Sequence, residues 1–268
     1  MKIGFIGGGN MAKAIIGGLK NNGFDMTAIA VLELDAQKRT ELIAEFNVRA
    51  SDNYDEIRNT DVIVLAVKPQ QLREVCQKLA SMISTQLIIS IAAGIRSANI
   101  SEWMNHYQAI VRVMPNTPAQ IQAGVSALYA LANVNQQQRD QATTILAAVG
   151  KTLWLDDETK MDAVTAISGS GPAYVFYLIE ALQEAAIGLG LKQEEAQMLA
   201  VQTFAGAGLL AAQSTTDVKT LRAQVTSKGG TTEQGILALE NANLKNIMML
   251  AAKAAADKSR TLGDDLAK

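Results

Sequence analysis

Two kinds of hydrophobic pattern alternate along roughly the first 155 residues of the chain. Short apolar runs rich in β-branched residues are followed by longer stretches whose apolar positions recur at helical spacing. This order predicts a parallel sheet with crossover helices. Uninterrupted apolar runs are typical of strands covered on both faces. We predict strands at Lys2–Gly7, Ile29–Leu34, Val62–Val67, Leu87–Ile91 and Ile110–Met114, with weaker ones near Val48, at Val125–Tyr129 and at Thr152–Leu155.

The alternation ends at Asp156-Asp157-Glu158, and the rest of the chain has helical spacing interrupted by glycine or polar breaks. We therefore expect a doubly wound α/β domain over residues 1–157 and an all-helical domain over residues 158–268. The predicted helices are Met161–Gly190, Gln193–Gln213, Asp217–Gln224, Thr231–Asn241 and Leu244–Leu262.

Composition and charge exclude several classes of function. The chain is 49% hydrophobic and 19% charged, which is typical of a folded protein. Lys and Arg number 24 against 26 Asp and Glu, giving a formal net charge of -2. Because this balance offers no broad basic surface, we expect neither nucleic acid nor an anionic membrane as a partner.

Residues 196–216 carry no charge and are numerous enough to cross a membrane. The stretch holds several glutamines among many alanines and glycines, whereas a membrane span is richer in Leu, Ile and Phe. We therefore expect a soluble protein in which this helix is covered on all sides. Because an Ala-rich helical domain has a thin core, we expect the cover to come from a second subunit in a homodimer.

Few residues suit metal binding or acid–base catalysis. Cys76, the single cysteine, lies in a helical apolar stripe and is predicted to be a packing residue. One cysteine and an opening without the layout of a signal peptide predict the cytoplasm. His106, the single histidine, ends a helical run, where a cation suits the helix dipole. No cluster has metal-ligand spacing, so we expect no metal site and a reaction that needs little acid–base help.

A glycine-rich turn near the start of the chain is the strongest local signal. The strand-like Ile3–Ile6 leads into Gly7-Gly8-Gly9-Asn10-Met11-Ala12, which matches G-x-G-x-x-A, and then into a helical pattern. In this motif the first glycine permits a tight turn, and the second lets the backbone approach a pyrophosphate. The helix that follows presents free N–H groups to the phosphates. We predict that the first domain binds a nicotinamide dinucleotide as hydride donor.

Glu33 ends the second predicted strand, about twenty residues after the glycines, where an acid usually accepts hydrogen bonds from the adenosine ribose of NAD. A carboxylate at this point repels a 2′-phosphate, which favours NADH. Lys38 and Arg39 follow closely enough to bind that phosphate, so NADPH stays open.

Two further clusters follow predicted strands, at Ala66-Val67-Lys68-Pro69 and at Met114-Pro115-Asn116-Thr117-Pro118. Ligands of open α/β sheets bind outside the carboxyl ends of the strands, so these loops are expected to border the cofactor crevice. Taken alone, Lys68 is explained as well by a solvated surface lysine as by a contact with a phosphate or an amide of the cofactor.

Five motifs together resemble the Δ1-pyrroline-5-carboxylate reductase family. Three lie in the first domain: Ile-Gly-Gly-Gly-Asn-Met-Ala from Ile6, Ala-Val-Lys-Pro from Ala66, and Met-Pro-Asn-Thr-Pro from Met114. Ser-Gly-Ser-Gly-Pro-Ala-Tyr from Ser168 and Gly-Gly-Thr-Thr from Gly229 follow in the family's order. The resemblance extends over residues 3–263.

The resemblance implies NAD(P)H-dependent reduction of the cyclic imine 1-pyrroline-5-carboxylate to L-proline, the last step of proline biosynthesis. It also implies a homodimer, which in the family assembles further into a ring of dimers, and a substrate pocket with residues from both subunits. The implied cofactor-binding residues are Ile6, Gly7, Gly8, Gly9, Asn10, Met11, Asn53, Ala66, Val67, Lys68 and Pro69, with Asn116 near the nicotinamide. The implied substrate-binding residues are Ser227, Gly229, Gly230, Thr231 and Thr232.

The Gly229–Thr232 segment supports a substrate site on physical grounds as well. Two glycines directly before a helix expose backbone N–H groups, which suit a substrate carboxylate. The imine carbon needs a hydride and the nitrogen a proton, so positioning supplies most of the rate. A Thr232 hydroxyl hydrogen-bonded to the ring nitrogen is our candidate proton relay, although an imine protonated by solvent needs none. An ordinary helix cap made by Thr231 or Thr232 is the alternative.

The sequence departs from the family at Lys228, where proline is usual, and at Glu33-Leu34, which replaces a more polar or basic pair and weakens the expectation of NADPH.

The β-hydroxyacid dehydrogenases are a rival family, because they too have a dinucleotide domain followed by helices. They carry a lysine soon after the central glycine cluster, whereas here the first lysine after Gly171 is Lys192. A non-catalytic dinucleotide sensor gives no reason for the Gly229–Thr232 segment.

Overall fold

The computed structural model describes residues 1–267 and divides the chain into two compact units. The first unit comprises Met1–Ser170 together with the end of the chain from Ala255, and the second comprises Gly171–Ala254. The first unit ends at Ser170, later in the chain than the domain boundary that we predict between residues 157 and 158. That domain boundary stays a prediction. Lys268, the last residue of the predicted second domain, lies outside the described residues.

One mixed sheet forms the centre of the first unit. Its strands are β1 Ile3–Ile6, β2 Ile29–Leu32, β3 Arg49–Ser51, β4 Val62–Leu65, β5 Leu87–Ser90, β6 Ile110–Met114, β7 Gly124–Ala130 and β8 Gly150–Trp154. They are ordered β3-β2-β1-β4-β5-β6-β7-β8 across the sheet. Each strand overlaps or adjoins one predicted from the apolar runs.

The prediction of a parallel sheet is wrong for one pair of strands. β7 runs antiparallel to β6, whereas every other described pair of strands is parallel. The two strands are joined by residues 115–123, which form a short 3₁₀ turn at Thr117–Ile121. A parallel return needs a crossover of about a dozen residues or more. This connection is shorter, so the chain turns back along the neighbouring strand.

Helices cover both faces of the sheet, as expected of a doubly wound fold. The five helices are α1 Asn10–Asn21, α2 Ala36–Phe46, α3 Pro69–Leu79, α4 Ser97–Trp103 and α5 Gln136–Ala147. The buried residues of α1, α2 and α5 pack in one core with Ile3 and Phe5, while those of α3 and α4 pack in a second core with Ile6. Successive residues of a strand point to opposite faces, which explains why one strand contributes to both cores.

Cys76 is a fully buried residue of α3 and belongs to the second core. Burial raises the pKa of its thiol to about 12. A thiol that stays protonated is a poor nucleophile, so Cys76 packs as predicted and has no chemical role. No helix in the described part of the chain has the length and apolarity of a membrane span.

A buried ion pair lies where the chain leaves β8. Arg112 of β6 is 7% exposed and donates from Nη1 to Glu158 Oε1 at 2.9 Å. Glu158 also accepts from the backbone N of Ser97 at 2.7 Å and from its hydroxyl at 2.6 Å. Three hydrogen bonds to one carboxylate thus join β6, the start of α4 and the segment after β8.

The helix predicted at Met161–Gly190 is interrupted. It consists of α6 Met161–Val164, a π-helical turn at Thr165–Gly169, and α7 Gly171–Gly188. A Cβ on Gly169 would lie 2.5 Å from the terminal methyl carbon of Met114, so glycine permits a close approach to the end of β6. The π turn therefore belongs to the surroundings of the Met114–Pro118 loop, consistent with the frequent occurrence of such turns at functional sites.

The second unit is helical and contains α7, α8 Gln193–Gln213, α9 Val218–Gln224, α10 Thr231–Asn241 and the first part of α11 Leu244–Ala267. These helices agree with the prediction. Among the described residues of this unit only Ala196 and Ala200 are buried apolar residues. Large apolar side chains are exposed instead, including Phe176 at 65% and Leu209 at 61%. The unit therefore lacks a core of its own in the single chain.

Candidate functional site

The predicted phosphate-binding turn follows β1 directly. Gly7 has a φ of +96°, and a Cβ at this residue would lie 2.7 Å from the Ala66 carbonyl oxygen. Gly9 has no atom within 4 Å of the position of a Cβ, so the backbone is open at this point. Ala12 is fully buried where α1 packs on the sheet. The turn therefore has the shape that the motif requires, with space beside Gly9 for a pyrophosphate.

Glu33 lies at the carboxyl end of β2 and reaches back to the glycine turn. Its Oε2 accepts from the backbone N of Gly8 at 2.8 Å, and its Oε1 accepts from the backbone N of Asp35 at 3.0 Å. Each oxygen keeps a further lone pair, because a carboxylate has about four acceptor sites. Glu33 can therefore accept hydrogen bonds from a ribose in this orientation.

These elements enclose a cleft of about 370 Å³ in the first unit. Eight of the predicted cofactor residues line it: Ile6, Gly7, Gly8, Gly9, Glu33, Ala66, Val67 and Lys68. The volume lies within the usual range for ligand sites. The fit of the glycine turn and the position of Glu33 make this cleft our candidate dinucleotide site.

Sequence reasoning missed one wall of this cleft. Gln71, Glu74, Val75 and Lys78 of α3 line it, together with Tyr54. The four α3 residues follow the spacing of a single helix face. That spacing was a signal that could have identified them, because α3 begins at the end of β4, beside the predicted crevice.

The other predicted cofactor residues do not line this cleft. Asn10 borders a separate groove along α1, Met11 is half-buried, and Pro69 is the first residue of α3. Asn53 caps a short 3₁₀ turn, accepting from the backbone N of Asp55 at 2.9 Å. Asn116 follows β6, and its Oδ1 accepts from the backbone N of Val125 at 2.9 Å. Their roles toward the cofactor stay predictions.

The predicted substrate segment lies in the second unit at the start of α10. Gly229 has a φ of +75°, and Gly230 precedes the first helical residue, Thr231. The first N–H groups of a helix have no intrahelical acceptor. Gly230 has no side chain with which to cap the helix, and no hydroxyl hydrogen bond of Thr231 or Thr232 is found within residues 1–267. The segment thus presents donors to a carboxylate, and a threonine cap does not account for it.

The structure also reveals a neighbour of this segment that sequence reasoning missed. The Glu233 carboxylate accepts from the backbone N of Gly229 at 2.7 Å. A Glu in the first helical turn often reaches back to the chain before the helix, and this spacing was a readable signal. The contact holds the left-handed turn at Gly229, leaving the backbone N–H groups of Thr231 and Thr232 as the donors for an anion.

Metal chemistry has no support in the described residues. No group of three or more His, Cys, Asp or Glu residues in residues 1–267 is arranged to hold a metal ion. The two candidate anion sites, one in each compact unit, suit chemistry that depends on binding and orientation.

Comparisons with known proteins agree with this reading. A family model described as pyrroline-5-carboxylate reductase dimerisation matches residues 158–262, and one described as NADP oxidoreductase, coenzyme F420-dependent, matches residues 2–94. The pyrroline-5-carboxylate reductase of Pseudomonas aeruginosa is 43% identical over 267 residues, which cover 99% of this chain and 98% of that protein.

Two solved structures match with high similarity over nearly the whole chain. A pyrroline-5-carboxylate reductase from Coxiella burnetii has a TM-score of 0.94 and 41% identity, and covers 97% of this chain and 98% of its own. A Plasmodium falciparum pyrroline carboxylate reductase with NADP bound has a TM-score of 0.85 and 32% identity, and covers 98% of each chain. Because relatives of this similarity extend over both units, the chain belongs to the pyrroline-5-carboxylate reductase family of NAD(P)H-dependent oxidoreductases.

Proposed function

We propose that the chain reduces 1-pyrroline-5-carboxylate to L-proline, the last step of proline biosynthesis, with NAD(P)H bound in the cleft of the first unit. Membership of the family over the full length of the chain carries the proposal. The open backbone at Gly9 and the free amides of the first residues of α10 support it, because they suit the two anionic ligands of this reaction.

In the proposed mechanism the reduced nicotinamide supplies the hydride that is added to the imine carbon. The backbone N–H groups of Thr231 and Thr232 and the Ser227 hydroxyl bind the substrate carboxylate and orient the ring, while Gly229 and Gly230 shape the turn that precedes them. The Thr232 hydroxyl passes its proton to the ring nitrogen and is reprotonated by a solvent molecule, so that it acts as a proton relay. The positive end of α10 makes this segment favourable for the carboxylate.

The direct test is to mix the purified protein with 1-pyrroline-5-carboxylate and to follow the oxidation of NADH and of NADPH separately, with proline as the measured product. We expect NADH to have the higher kcat/KM, because Glu33 accepts from a ribose hydroxyl and repels a 2′-phosphate. Glu33→Ser should reduce this advantage about tenfold, the loss of one hydrogen bond to a charged group. A wild-type preference for NADPH would refute the role given to Glu33.

We also propose that the active form is a homodimer in which the predicted second domain, residues 158–268, associates with its copy. A unit whose buried apolar residues are two alanines needs a partner surface to cover residues such as Phe176 and Leu209. Light scattering on purified protein should give twice the 28.5 kDa of one chain, or a larger even multiple if dimers form a ring. A concentration-independent mass of a single chain would contradict this assembly.

We place the protein in the cytoplasm. The single cysteine, Cys76, is free and buried, and a chain without an internal disulfide suits a reducing compartment.

A further inference from the structure

Arg39 is the arginine closest in sequence to Glu33, where a cation could bind the 2′-phosphate of NADPH. The structure assigns its guanidinium to other acceptors. Arg39 Nη1 donates to the carbonyl oxygens of Glu33 and Leu34 at 2.8 and 2.9 Å. Arg39 Nη2 lies 3.1 Å from Asp52 Oδ2. Its cationic fork is thus bound to the backbone of the loop that carries Glu33 and to an acidic side chain.

Arg39 itself does not line the candidate cofactor cleft, although it contacts the backbone of two residues that do. Glu33, Leu34 and Lys38 line this part of the cleft, and Arg39 does not. Because the guanidinium draws two successive carbonyl oxygens together, it limits the movement of the loop between β2 and α2. The Glu33 carboxylate is then held at the cleft by the backbone N–H groups of Gly8 and Asp35.

We propose that Arg39 is a positioning residue for cofactor selectivity: it braces the Glu33–Leu34 loop from outside the cleft and so directs Glu33 toward an unphosphorylated ribose. The inference rests on the proposed role of Glu33 and deepens it. Of the two cations that follow Glu33, only Lys38 lines the cleft, and its ammonium has no partner among residues 1–267. Of these two cations, Lys38 is therefore the one available to a 2′-phosphate, opposed by the carboxylate of Glu33.

The test measures binding without the imine substrate, by fluorescence titration of the full chain with NADH and with NADPH. Arg39→Ala should weaken NADH binding about tenfold, as expected when one hydrogen bond to a charged group is misplaced, and should leave NADPH binding nearly unchanged. The dissociation constant for NADPH divided by that for NADH should therefore fall by the same factor. Arg39→Lys should resemble Arg39→Ala, because an ammonium lacks the planar fork that spans two carbonyls and a carboxylate.

Lys38→Ala is the matched control, since it removes the neighbouring cation that lines the cleft without touching the brace. It should weaken NADPH binding more than NADH binding, which is the opposite order to that expected for Arg39→Ala. A selective loss of NADPH binding in Arg39→Ala would make Arg39 a phosphate ligand and overturn the proposal. Equal weakening of both nucleotides, or no change in either, would also overturn it. Because no imine is present, the outcome is separate from whether the chain reduces pyrroline-5-carboxylate.

Discussion

Replacing Thr232 with alanine should lower kcat for imine reduction by about a hundredfold or more, the usual contribution of a positioned proton donor. The physical reason is that hydride addition leaves an electron pair on the ring nitrogen, and this pair must receive a proton. Thr232 is exposed near the start of α10, beside free backbone donors. Steady-state kinetics with saturating cofactor would measure the loss.

Titration with NADH provides the control for this variant. The dissociation constant for NADH should be the same as in the wild type, because the candidate cofactor cleft is lined by residues of the first unit. Thr232→Ser keeps a hydroxyl and should restore most of the rate. If Thr232→Ala retains kcat within a few-fold, then the proton comes from solvent or another group, and the role given to Thr232 is wrong.

Replacing Glu158 with alanine should lower the free energy of unfolding by about 3–5 kcal/mol, the range for removing one partner of a buried ion pair. The loss follows because Arg112, 7% exposed, would keep its charge without a carboxylate beside it. The backbone N and hydroxyl of Ser97 would also lose their acceptor. Denaturant unfolding at one fixed protein concentration would measure it, since association also contributes to stability.

An exposed ion pair close by provides the comparison for Glu158. Asp156 and Lys160, four positions apart, pair with exposed side chains, so Asp156→Ala should change stability little. Glu158→Gln keeps a hydrogen-bond acceptor but removes the charge. Its free energy of unfolding should lie between those of Glu158→Ala and the wild type. Equal stabilities of Glu158→Ala and Asp156→Ala would show that the buried pair contributes no more than a surface pair.

Much of the candidate cofactor site could be predicted from the sequence, because its elements are local. The glycine turn depends on residues adjacent in the chain, and Glu33 ends a strand that its apolar run identifies. The face of α3 that lines the cleft was missed, although its spacing was readable. The antiparallel β7 was also missed, although the short connection over residues 115–123 indicates it.

Other features depend on groups that are distant in sequence. Glu158 receives hydrogen bonds from Ser97 and Arg112, which lie 61 and 46 positions earlier. A π turn interrupts a helix whose apolar spacing is continuous, and its last residue, Gly169, lies close to Met114. No periodicity in the chain encodes such pairs, because each depends on how separate elements pack.

The sequence by itself determined the strand and helix order, the glycine turn, the position of Glu33 and the uncharged helix, because hydrophobic periodicity and turn chemistry act between near neighbours. The tertiary structure decided how the polar side chains are used. It places Arg39 on two carbonyl oxygens and a carboxylate, and it joins Glu233 to the Gly229 amide. A side chain with several possible partners takes those that folding brings within hydrogen-bond distance, and only the packed chain determines which they are.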